Sequence, residues 1–476
     1  MKHDNWLKWA CLLAWLCQVY LVVYLPEVAD EAYYKRWSEH LDWGYFDHPA
    51  GVAWWSFAGG RLLNLLLLPI AWLNFIWASR ACGARQSKLI IYLVVWSTPL
   101  GLASGVLVTP DAPLLFSWSL AVLGYGLCSY RLMTLGLALG LWSKVMIIPA
   151  MSGLLYLCWT DQRLQQRTRY INSLLMSATL LLIYLPQLYW SAHHDWLPWS
   201  FQTGRQWRFL SSFEFIGGQF LVGGGVWFFY LILSYKDYLA KLFSSRSLVT
   251  DHVDIGSHDR GSYVTNTDFD RLCFFLSAPS MLSFALVSLC LRVEANWTAL
   301  AWPMGLIWLI EKLSTAKLMK AWRFSLILSV PCLFLPVIHH YIPLQWGPPR
   351  DGNKLRACIK KAQTDQPAIR YWVTGRYQEA ALLGLKSNQS EYAHSSIQPP
   401  ATLIYHKAFE RRKSQYDLWS RSTRNNDLSK LCQTLWIGPK EWAKDYCLAE
   451  DLKLDPHDSE CRLKLSRCRC FSMMKN

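Results

Sequence analysis

The chain has 476 residues, is 53% hydrophobic and 17% charged, and carries a net charge of +15. Its mean hydropathy is +0.12. Its apolar residues gather in long runs between short basic loops, which excludes a soluble globular protein. The same loops account for the positive charge without any nucleic-acid partner.

A hydrocarbon core of about 30 Å takes about 20 apolar helical residues to cross, and only internally hydrogen-bonded elements cross it. The runs predict spans at about 6–25, 51–78, 89–108, 112–130, 132–143, 145–159, 170–190, 217–234, 272–291, 296–310 and 324–342. The 27 Trp and 23 Tyr residues suit two interfacial belts. Lys2 and Lys8 precede the first run, and no small-x-small cleavage pattern stands around Glu27 to Ala29. The first span is therefore expected to be retained, with a cytoplasmic N-terminus.

The segment around Ser143-Lys144 decides the topology. Read as one helix, 132–159 would put Arg163, Arg167 and Arg169 outside. Read as two short half-helices with Lys144 at their tip, it puts them inside, as the positive-inside rule prefers. Arg80, Arg85 and Lys88 then fall inside too, as do Lys236, Lys241 and Arg246, and Lys312, Lys317, Lys320 and Arg323. This predicts an α-helical polytopic membrane protein with about eleven spans. Residues 1–343 form the membrane domain, and 344–476 form an extracytoplasmic domain. The Ser/Asp-rich stretch 247–268 is a cytoplasmic loop in this reading.

The tail reads as a small α/β domain. Helices are expected at 354–362 and 378–386, and strands at 369–373 and 401–405. Six of the 14 cysteines lie there: Cys358, Cys432, Cys447, Cys461, Cys468 and Cys470. Disulfides or free thiols are favoured over a metal site, because Cys468-Arg469-Cys470 lacks a partner pair and a nearby His.

The first outer loop, 27–50, is too polar to span and too aromatic for a solvated linker, so short interfacial helices are expected in it. Asp30 and Glu31 stand just past the first span, where a low-dielectric edge suits general-base work. An ordinary interfacial acid pair is the bland alternative. The charges that the positive-inside rule does not predict on the outer face need a partner or a purpose. They are Lys35, Arg36, Arg205, Arg208 and Arg292, beside Asp30, Glu31, Asp47 and Glu294.

The whole string sharpens the reading. Asp30-Glu31-Ala32-Tyr33-Tyr34, then Trp37, then Leu41-Asp42-Trp43-Gly44-Tyr45-Phe46-Asp47-His48-Pro49 resembles the first outer loop of bacterial GT-C class glycosyltransferases. These include the relatives of protein O-mannosyltransferases and of the lipid A aminoarabinose transferase. Thr109-Pro110-Asp111-Ala112-Pro113-Leu114, Gly136 to Lys144, and Glu294-Ala295-Asn296-Trp297 with Trp302-Pro303 resemble further segments of that class in order. Arg412 to Trp419 resembles a tail segment of one branch. The first-loop string is specific, whereas the Thr-Pro-Asp and Ser-Lys pieces carry weight only in order.

The resemblance implies transfer of a sugar from a polyprenyl-phosphate carrier to a lipid, glycan or protein acceptor on the outer face of a bacterial inner membrane. It implies inversion, with Asp30 as base and Glu31 beside it, and Tyr33, Tyr34, Asp47, Asp111 and Glu294 near substrate. A leaving phosphate in a partly dry site calls for preorganised cations. Lys144, Arg205, Arg208 and Arg292 are on the right side, and His48 stands where one branch tends to carry a lysine. For Lys144 the plainer reading is a snorkelling lysine, and for Arg292 a pair with Glu294. A divalent cation at Glu31, Asp47 or His48 is allowed by residue type without supporting spacing, so no metal ligand is assigned. His193-His194-Asp195 reads as a polar loop, and Trp196, Trp199 and Trp207 as interfacial anchors or sugar-stacking rings. A transporter or lipid-linked sugar flippase is the alternative, although such proteins often show matched interrupted helices, and only one interruption is visible here. A catalytically silent scaffold is the third reading.

Overall fold

The computed structural model describes residues 2–203, 211–245, 266–335, 337–338, 371–374, 381, 402–405, 434–437, 448–451 and 465–469. The chain divides into two compact units. One comprises Met1–Leu25, Asp42–Gly44 and His48–Ile338; the other comprises Pro26–Leu41, Tyr45–Asp47 and His339–Asn476. The first outer loop is thus shared between them.

The described secondary-structure elements of the first unit are helices. Among the described residues, four helices are long and apolar enough to cross a membrane. They lie in α1 (Lys2–Tyr24), α4 (Arg61–Ala81), α10 (Gln166–His193) and α14 (Asn266–Val287). Burial sorts them: 22% of the apolar windows of α1 and α10 is buried, against 56% for α4 and 50% for α14. The first two are therefore peripheral and the last two central.

Each remaining predicted segment is helical where described, but several are broken by residues that disrupt a continuous helix. The 51–78 run is α3 (Gly51–Phe57) and α4, separated at Gly59 and Gly60, both with positive φ. The 89–108 run is α5 (Lys88–Trp96) and α6 (Pro99–Ser104). Thr98 caps α6 by accepting from the Gly101 N–H at 3.0 Å, and Pro99 takes the first helical position. The 217–234 run is α12 (Ser211–Val222) and α13 (Trp227–Ser245), which meet at a 107° bend. Gly224 and Gly225 turn the chain there at φ +84° and +81°, a region open to glycine at little cost. A further short helix, α11, covers Leu197–Thr203.

The core is built around α7 (Asp111–Gly126) and α8 (Tyr130–Ser143). A Cβ on Gly136 would stand 2.6 Å from the Ser117 carbonyl, so the glycines of α8 let two backbones touch. On the other side of α7, Asn74 donates to Ser119 at 3.1 Å, fastening α4. Arg61 donates to the Leu25 carbonyl at 2.6 Å, closing the last turn of α1 with a cation.

After α8 come a short 3-10 turn, Val145–Ile147, and α9 (Ile148–Trp159), which packs on α14 so closely that a side chain at Gly153 would run into the Phe275 carbonyl. A second 3-10 segment, Ala295–Ala301, leads into α15 (Trp302–Lys312) and then α16 (Thr315–Leu333).

The opposite ends of the helices carry the basic loops. Between α9 and α10, Arg163 grips both oxygens of Asp161 at 2.8 to 3.1 Å. Burial alone would lower the pKa of that guanidinium, but the Asp161 hydrogen bonds override it and hold it above the ordinary arginine value. Lys312 pairs with Asp270 at 2.9 Å, and Glu311 accepts the backbone N–H groups of Arg85 and Gln86 at 2.8 and 2.6 Å.

In the second unit, α2 (Ala29–Ser38) is the short helix expected in the first loop. Strands β1 (Tyr371–Thr374), β2 (Thr402–Tyr405), β3 (Thr434–Ile437), β4 (Leu448–Asp451) and β5 (Leu465–Arg469) form one mixed sheet in the order β2-β1-β3-β5-β4. β1 is parallel to β2 and β3, with Val373 opposite Ile404 and Trp436, while β5 runs antiparallel to β3 and β4. The first two strands stand where the sequence places them. The expected helices at 354–362 and 378–386 lie outside the described residues, apart from Ala381, which is helical.

Candidate functional site

Asp111 opens α7 and is buried. Its Oδ1 accepts from the Lys144 Nζ at 2.7 Å, and its Oδ2 from the Asn296 Nδ2 at 2.5 Å. The two charged side chains are 3% and 6% exposed. Three sequence pieces separated by up to 185 residues thus close on one carboxylate. They are Thr109-Pro110-Asp111, Ser143-Lys144 and Glu294-Ala295-Asn296.

Local structure explains the convergence. Lys144 has extended backbone between α8 and the following 3-10 turn, so the chain breaks where its side chain must turn inward. Gly51 packs against the backbone of Ser143, where a Cβ would stand 2.7 Å from its Cα. Lys144 does not snorkel: its head is held by Asp111 in the interior. Asp111 lies in the first turn of its helix, where a carboxylate complements the macrodipole.

Asn296 is positioned in turn by Gln219, which composition and motif reading do not single out. Gln219 is fully buried in α12. Its Nε2 donates to the Ala295 carbonyl at 2.9 Å, and its Oε1 accepts from Thr298 Oγ1 at 2.5 Å and Trp302 Nε1 at 3.1 Å. The available signal is a lone amide within the apolar stretch 215–222 of that helix, since a buried polar group needs partners.

Asp30 and Glu31 occupy the first turn of α2. Asp30 is exposed, whereas Glu31 is buried and accepts from the Val28 N–H at 3.2 Å, capping its own helix. Tyr33, Tyr34 and Trp37 are buried on the same helix. Trp37 stacks on Tyr45 at 4.4 Å, and the Tyr45 hydroxyl donates to the His40 carbonyl at 2.8 Å. Lys35 pairs with Glu27 at 3.3 Å and Arg36 with Glu39 at 2.6 Å, which gives both unexpected outer cations of this loop a local partner.

Elsewhere in the first loop, Gly44 and Pro49 form an antiparallel bridge. Asp42 accepts from Trp190 Nε1 at 2.9 Å, and Trp190 stacks on His194 at 4.0 Å. Asp47 is buried and His48 half-buried. His193 and His194 each direct Nδ1 at a backbone carbonyl, at 2.9 and 2.8 Å. Among the described residues, no three His, Cys, Asp or Glu side chains group as metal ligands. Arg292 faces Glu294 at 3.5 Å and Glu214 at 3.9 Å, the first being the pair expected for it. Arg205, Arg208 and Trp207 lie outside the described residues.

No protein-family profile matches the chain. It is 24% identical to the lipid A galacturonosyltransferase RgtD of Rhizobium johnstonii, over 71% of this chain and 71% of that protein. Its fold is similar to that of ArnT from Cupriavidus metallidurans in the apo state, with a TM-score of 0.60 at 11% identity, covering 98% of both chains. The crystal structure of ArnT bound to undecaprenyl phosphate superposes equally well, with a TM-score of 0.59 at 12% identity over 97% of this chain and 98% of that one. The sequence likeness to a glycosyltransferase and the fold likeness to ArnT both fall on the class that the first-loop string resembles.

Proposed function

We propose that the chain is an inverting integral membrane glycosyltransferase of a bacterial inner membrane. It takes a sugar from a polyprenyl-phosphate carrier and passes it to an envelope lipid or glycan, or to a protein, on the extracytoplasmic face. The N-terminus is cytoplasmic, residues 1–343 cross the membrane about eleven times, and residues 344–476 lie outside. The galacturonosyltransferase relative, named for lipid A, favours a lipid acceptor. The neighbour crystallised with undecaprenyl phosphate favours the donor class.

The observation that carries the reading is Asp30, an exposed carboxylate in the first turn of a helix whose Glu31, Tyr33, Tyr34 and Trp37 are buried. In this mechanism an acceptor hydroxyl oxygen attacks the anomeric carbon as Asp30 takes its proton. The bond from that carbon to the phosphate oxygen breaks on the opposite face, and polyprenyl phosphate leaves with the electron pair. Glu31 holds the helix start and so positions Asp30. Tyr33, Tyr34, Asp47 and Glu294 remain the substrate-facing candidates, with His48, Arg205 and Arg208 for the phosphate.

Lys144 and Asp111 take a revised part. Their charges offset each other in the buried interior, so the pair serves best as a post fixing the first turn of α7, the end of α8 and the Asn296 segment. A buried pair of this kind specifies geometry more than it stabilises.

The test is transfer by purified protein in nanodiscs, given labelled polyprenyl-phosphate sugars and envelope lipids, beside Asp30→Asn. Label should reach an acceptor with wild type and not with the variant. Folded wild type that consumes no donor from a broad panel, yet moves lipid-linked sugar between leaflets, would favour the flippase reading instead.

A further inference from the structure

We propose that the groove along the basic end of α16 binds the headgroup of an anionic glycerophospholipid. This site is independent of the transfer reading. The groove encloses about 480 Å³ and is lined by Ala316, Met319, Lys320, Arg323, Phe324 and Ile327. Those positions follow the spacing of one helical face. The two cations stand one turn apart, and Phe324 and Ile327 follow them toward the middle of the helix. A charged mouth followed by an apolar trough matches a headgroup followed by an acyl chain.

The neighbouring face of α16 is already used. Ala321, Ser325 and Ser329 are buried, and both serines donate to the Ser97 carbonyl, at 3.1 and 2.6 Å. The groove is walled further by the Phe324 ring, which meets Phe220 of α12 edge-on at 5.6 Å.

Some cations at this end are already paired with a carboxylate. At the same end of the first unit, Lys312 is neutralised by Asp270 and Arg163 by Asp161. Among the described residues, no carboxylate pairs with Lys320 or Arg323. Both side chains are exposed beside an apolar trough. Clusters of cations on the positive side of a membrane attract acidic headgroups. Two snorkelling lysine-type chains with no bound lipid are the competing account.

Native mass spectrometry of the purified full chain, offered phosphatidylglycerol or phosphatidylcholine, tests the site. Wild type should retain phosphatidylglycerol preferentially, and Lys320→Ala/Arg323→Ala should lose about tenfold in retention. Lys8→Ala/Lys317→Ala removes the same charge outside the groove and should leave retention unchanged. Ile327→Trp keeps both charges, fills the trough and should also release the lipid, which keeps the test standing if the double variant misfolds. Equal retention of the two lipids by wild type, or equal loss in the control, would overturn the proposal. Competitive displacement of phosphatidylglycerol from the groove by polyprenyl phosphate would overturn it as well, since the groove would then serve the carrier.

Discussion

Asp30 and Asp111 occupy the same kind of place, the first turn of a helix, and come to opposite ends. Asp30 is exposed, beside Glu31, which caps the same helix. Asp111 is buried, with one oxygen on Lys144 and the other on Asn296. Helix position complements the charge of both carboxylates; burial decides which one a substrate can reach. A buried, ion-paired acid holds structure together, whereas an exposed one lies within reach of a substrate.

The sharpest break of that contrast is Asp30→Asn. Loss of a general base should cost about 10²–10⁴-fold in transfer rate, with the thermal midpoint in detergent unmoved. A stability loss of comparable size would instead make Asp30 a second Asp111.

Lys144→Met should show the reverse signature. It leaves the Asp111 carboxylate buried and uncompensated, a loss of about 3–5 kcal/mol, read as a fall in thermal midpoint. The double variant Asp111→Leu/Lys144→Met removes both charges and should recover much of that loss. If the double is no better than the single, the pair has another essential partner.

Gln219→Leu removes three hydrogen bonds from the segment that presents Asn296. It should cost about 1–3 kcal/mol for the groups left unsatisfied, and transfer should fall further than stability alone explains. Rescue by Gln219→Glu is not expected, because the carboxylate cannot donate to the Ala295 carbonyl. Arg292→Ala is the smallest effect. Its contacts with Glu214 and Glu294 are long and half exposed, so at most about 1 kcal/mol should be lost with them. A large loss of transfer with intact stability would return Arg292 to the phosphate site.

Much of the membrane part was legible because hydropathy is a local property. The long runs became helices, and the paired short runs on either side of Lys144 became two helices with the lysine at the break. The breaks inside 89–108 and 217–234 were missed although their signals were present: Ser97-Thr98-Pro99 is a cap followed by proline, and Gly223-Gly224-Gly225 invites a left-handed turn. Average hydropathy does not register either, since glycine and proline interrupt a helix without making it polar.

The amino-acid sequence by itself determined the class of molecule, the apolar segments, the first-loop helix and the local Arg292–Glu294 pair. It supplied Asp111, Lys144 and Asn296 only as three weak fragments in order. Tertiary structure alone decided that they meet, that Gln219 holds the third in place, and that Lys144 turns inward rather than toward the interface. The reason is physical: hydropathy and caps act over one or two helical turns, whereas an ion pair between residues 111 and 144, or a hydrogen bond from 296 to 111, exists only once close helix packing has brought them together.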